Sequence, residues 1–60
     1  MKAGDLVKFY RTGELALLLG FKTLGVGHYA RKCLEIMWAS TGNIEIKSMK
    51  LFTVVAKGER

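Results

Sequence analysis

Cys33 and His28 are the only cysteine and the only histidine in the 60-residue chain, and they lie five positions apart. A thiolate nucleophile needs a neighbouring base and a third group to orient that base. His28 could serve as the base, but no third group stands out. One Cys and one His also fall short of the four ligands of a structural zinc site. A single thiol forms no internal disulfide and suits a reducing compartment. The expectation is therefore a chain with no enzymatic activity, no metal and no cofactor, in which Cys33 is a small buried apolar residue.

The segment GVGHYA, Gly25 to Ala30, matches the G-x-G-x-x-A dinucleotide fingerprint. YARKCLEIMWAS would then be the helix after it. Two features argue for a glycine-containing loop between strands instead. FKTL separates the match from the preceding strand-like run, and 60 residues cannot supply the sheet that a dinucleotide crevice requires.

The same loop suggests another chemistry. Lys22, Arg31 and Lys32 could meet phosphates, and Tyr29 among them could stack on a base, a combination used in single-strand binding. His28 reads as a surface residue. The chain carries ten Lys and Arg against five Asp and Glu, a net charge of +5. Those cations are spread along the chain, with only Arg31 and Lys32 adjacent. Such a spread suits an ordinary soluble surface, while strands distant in sequence can still pool charge on one side.

The elements that would position these residues are short. Half of the residues are hydrophobic and a quarter are charged, which fits one folded domain over residues 1–60. A domain of this size buries only about 60% of the surface of its unfolded chain. With no disulfide or metal to supplement the core, a partner chain is the expected supplement. DLVKFYR alternates Leu6, Lys8 and Tyr10 against Val7, Phe9 and Arg11, as a strand does. CLEIMWA sets Leu34, Ile36 and Trp38 against Cys33, Glu35 and Met37. STGN, Ser40 to Asn43, is a hairpin loop leading to IEIK; LFTVV, Leu51 to Val55, is a last strand before the polar tail KGER. Trp38 is a core anchor on this pattern, with a stacking surface as the alternative.

GELALLLGF, Gly13 to Phe21, is the ambiguous stretch, because Glu14 to Leu18 are all strong helix formers. As a helix it would end within two turns, at Gly20, too short to stand alone. As a strand over Glu14 to Phe21 it fits a spacing of roughly one strand every 8–12 residues. Leu15, Leu17 and Leu19 then face one way, and Ala16 and Leu18 the other. A small barrel interior accounts for only one of these faces. Cys33 and Met37 add apolar surface on the outward side of the next strand. Contiguous exposed patches of this kind mark interfaces, so Leu15, Leu17, Leu19, Cys33 and Met37 are the expected oligomer contacts.

GDLVKF followed by TGELALLLGF resembles the opening of SH3-like small barrels, including the KOW type. LEIMWASTGNIEIKSMKLFTVV continues the resemblance: a third strand with a tryptophan, a distal hairpin, a fourth strand, a short turn at SMK and a last strand. In particular, the chain resembles short uncharacterised barrel proteins of tailed phages, especially marine ones. The resemblance implies about five bent antiparallel strands, no enzymatic activity, and binding of peptides, nucleic acid or other subunits. Proline-rich peptide binding is not expected, since the first loop, YRTG, offers a single aromatic, Tyr10.

No signal peptide is expected, because Lys2 and Asp5 interrupt the start and no apolar run appears before Arg11. The longest apolar stretch, Leu15 to Leu19, is far below the ~20 residues of a membrane-spanning helix. The expected location is cytoplasmic, the host cytoplasm if the gene is a phage gene. Two functions are compatible with these features: a structural or protein-interaction module that self-associates, or a nucleic-acid-binding barrel using the loop from Lys22 to Lys32. Neither a membrane nor a small-molecule substrate is expected as a partner.

Overall fold

The alternating segments become strands, although in DLVKFYR the strand ends at Phe9 and Tyr10 and Arg11 already turn. The computed structural model describes residues 1–58; Glu59 and Arg60, the end of the polar tail, lie outside them. Five strands run in chain order: β1 (Leu6–Phe9), β2 (Leu15–Leu24), β3 (Arg31–Trp38), β4 (Ile44–Ser48) and β5 (Phe52–Ala56). They form one antiparallel sheet in the order β4-β3-β2-β1-β5. Single 3-10 turns at Gly27–Tyr29 and Met49–Leu51 connect β2 to β3 and β4 to β5. The chain is therefore all-β, as expected, and its helix-forming leucines lie in a strand.

The sheet is strongly curled. Strands β3 and β5 are three steps apart in the sheet, which would separate them by about 14 Å if it were flat. Yet the rings of Trp38 on β3 and Phe52 on β5 have centroids 5.9 Å apart. The Trp38 ring also meets the Phe9 ring edge-on at 5.7 Å. These aromatics close one end of a barrel-like core built from Val7, Ala16, Leu18, Leu34, Ile36, Trp38 and Phe52. With Trp38 inside, its indole is a core anchor and not an open stacking platform.

Part of the bend lies within β2. Leu18 pairs with Ile36 and Gly20 pairs with Glu35, so Leu19 is an extra residue in the ladder. Such a bulge bends a strand and shifts its alternation by one. Beyond it, Phe21 packs against the core, although the alternation before the bulge would have turned it outward with Leu17 and Leu19. β2 also extends through FKTL to Leu24, further than Phe21. The fingerprint-like glycines therefore do come directly after a strand, contrary to the expectation from the sequence. After them, however, the chain makes one 3-10 turn and enters strand β3, so the helix that a dinucleotide site requires is missing.

STGN closes the β3–β4 hairpin. The Gly42 N–H donates to the Trp38 carbonyl at 2.8 Å with φ at 78°, a left-handed conformation that favours glycine. At the other end of the molecule, Asp5 joins the two ends of the described chain. It is buried, and its carboxylate accepts from the Gly58 N–H and the Lys2 N–H, each at 2.9 Å. Those two backbone donors hold its pKa below the ordinary 3.8. Gly58 passes so close to Gly4 that a Cβ on it would lie 2.6 Å from the Gly4 carbonyl oxygen.

Candidate interaction surfaces

Residues paired across neighbouring strands share one face of a sheet. Tracing the register outward from β2 therefore identifies the outer surface. Leu17 pairs with Leu6 on β1 and with Met37 on β3; Leu6 pairs with Ala56 on β5, and Met37 with Ile44 on β4. One apolar row thus crosses all five strands on the side opposite the core. Leu15 and Leu19 flank it on β2, and Ile46 flanks it on β4. Leu15 is 40% exposed, Leu17 and Leu19 36%, Ile44 58% and Ile46 43%, so this face stays open among the described residues.

The expected interface residues divide here. Leu15, Leu17 and Leu19 lie on the open face as anticipated, while Met37 is half-buried within the row. Cys33 is a correction: it is buried and offers almost no surface to a partner. It sits near the start of β3, between its cross-strand neighbours Lys22 and Ser48. Leu6, Ile44 and Ile46 belong to the face but were not singled out in the sequence. The alternation of IEIK hinted at the two isoleucines; only the register aligns them with the leucines.

The loop residues expected to bind nucleic acid lie toward the end of β2 and the start of β3. Lys22, Tyr29, Arg31 and Lys32 are all exposed, with Tyr29 83% open to solvent. They do not share one surface. Lys22 pairs with Cys33 and lies on the outer side, whereas Lys32 pairs with Thr23 and turns to the inner side. There its ammonium rests 4.6 Å from the centre of the Phe21 ring, a cation–π contact. Arg31 and Lys32 line an open groove together with Ser48, Met49 and Lys50, which come from the end of β4 and the turn after it. A second groove, lined by Phe9, Glu14, Trp38, Ser40, Asn43, Glu45 and Lys47 among others, lies beside the β3–β4 hairpin. It carries two carboxylates, and its Lys47 is paired with Glu45 at 3.2 Å.

Among the described residues no cluster of His, Cys, Asp or Glu is arranged to hold a metal ion, and no helix is long and apolar enough to cross a membrane. Comparison with known proteins finds no family model that matches this chain, no similar curated protein and no similar solved structure.

Proposed function

We propose that this protein is a non-enzymatic small barrel that works as a self-associating interaction or assembly module, joined through the outer face of its sheet. The observation that carries this reading is the apolar row Leu6–Leu17–Met37–Ile44, which spans neighbouring strands with open leucines and isoleucines on either side. Two such faces can pack about 10 Å apart, as sheets do in sandwiches. The reading includes an SH3-like barrel, supported by five strands in the expected succession with a tight hairpin after the third and a short turn before the fifth. Phage origin and a place in the host cytoplasm rest on the sequence resemblance alone.

Light scattering coupled to size exclusion tests the assembly. The wild type should elute as an oligomer, with a closed dimer the simplest form. Leu17→Asp should yield a folded monomer, because it charges the face without touching the core. Leu18→Asp, one residue along but only 1% exposed, should not fold. A wild type that remains monomeric at high concentration would contradict the proposal.

A second reading, nucleic-acid binding at the basic end, has its own support. The one ion pair among the described residues is Lys47–Glu45, which leaves Lys22, Arg31, Lys32 and Lys50 without a carboxylate partner there.

A further inference from the structure

We propose that the groove between the start of β3 and the β4–β5 turn seats the phosphodiester backbone of a single-stranded nucleic acid, with Tyr29 stacking on a base beside it. The inference rests on the nucleic-acid reading; it keeps Tyr29, Arg31 and Lys32 of the expected loop, adds Ser48 and Lys50, and leaves out Lys22. Strand pairing makes the site: Cys33 opposite Ser48 brings Arg31 and Lys32 alongside Ser48 and Lys50. Among the described residues no acidic side chain lines this groove, whereas the groove beside the hairpin carries Glu14 and Glu45 and would repel a polyanion.

The polar groups suit phosphate oxygens. The Ser48 hydroxyl oxygen accepts the Lys50 N–H at 3.3 Å, which leaves the hydroxyl proton free to donate outward. Arg31 can offer two parallel N–H groups to one phosphate. Lys32 is held over Phe21, so part of its side-chain freedom is already lost before a ligand arrives. Tyr29 stands two residues before Arg31 on a 3-10 turn, and Val26 just ahead of that turn is 80% exposed. An open aromatic beside cations that have no carboxylate partner among the described residues is the arrangement that binds unstacked bases, and a paired duplex would not offer its base faces to Tyr29. Lys22 does not line the groove and contributes only general charge.

The test is fluorescence anisotropy of a labelled oligothymidylate with the full chain, titrated at several salt concentrations. Variants are Lys50→Gln, Arg31→Gln, Tyr29→Ala, Lys22→Gln and, as a control in the other groove, Lys47→Gln. Circular dichroism verifies that each folds. Lys50→Gln and Arg31→Gln should each weaken binding several-fold and reduce the slope of log K against log salt by about 0.7, the loss of one single-strand phosphate contact. Tyr29→Ala should weaken single-strand binding by about tenfold and leave the affinity for inorganic polyphosphate unchanged. Lys47→Gln should behave as wild type. Binding that survives Lys50→Gln and Arg31→Gln with an unaltered slope overturns the groove but keeps the broader reading. Polyphosphate competing as well as oligothymidylate, with no effect of Tyr29→Ala, reduces the groove to a bare anion site and overturns the single-strand assignment. No wild-type binding at low salt overturns both.

Discussion

At the scale of single residues, Asp5 links chemistry to stability. Its carboxylate accepts two backbone N–H bonds that tie Lys2 and Gly58 to the start of β1. Because the folded-state pKa lies below 3.8, the charged form is favoured in the native protein. The resulting stability is fully present above the ordinary carboxylate pKa and is lost as pH falls through the lowered folded value. Asp5→Asn should therefore be less stable than wild type in urea at pH 7, with the difference shrinking as pH falls below about 4. A difference that stays constant into acid would show that the charge of Asp5 contributes nothing. The sequence displayed Asp5 as part of GDLV, but the partner that gives it a role lies 53 positions away.

At the scale of elements, the informative feature is the bulge in β2. Gly20 comes after the extra residue Leu19, yet its φ is not in the left-handed region and a Cβ there would meet nothing within 4 Å. The glycine is thus not required by the backbone. Gly20→Ala should stabilise the protein by about 0.4–1 kcal/mol, by restricting the unfolded chain. Chemical denaturation measures this, and a clear loss of stability would mean that the bulge needs glycine after all. Alternation made Leu15 to Leu18 legible as a strand with Ala16 and Leu18 inside. It could not place Phe21, because one extra residue reverses the side on which every later side chain lies.

At the scale of the whole molecule, the outer apolar row and the small core belong together. A single core in so short a chain is marginal, and covering exposed leucine surface gains about 25 cal/mol per Å² of apolar area. If association supplies that cover, unfolding is coupled to dissociation and stability depends on concentration. The melting temperature should then rise with protein concentration in the wild type and become independent of it in Leu17→Asp. A wild-type melting temperature that is unchanged over a hundredfold range of concentration would separate folding from assembly.

Local patterning was enough to establish an all-β chain, the turn at STGN, the inward set Leu34, Ile36 and Trp38, and a leucine face left over on β2; the turn at SMK came from the resemblance to SH3-like barrels. These features depend on period-two alternation and turn chemistry, which act over a few residues. Cross-strand register decided the rest. It placed Cys33 between Lys22 and Ser48, joined Leu6, Leu17, Met37 and Ile44 into one row, and turned Lys22 and Lys32 to opposite sides. It also brought Lys50 to Arg31 across the β3–β4 pair. Register is set by the bulge and by how the curled sheet closes on Trp38 and Phe52, contacts between residues far apart in sequence that no local pattern encodes.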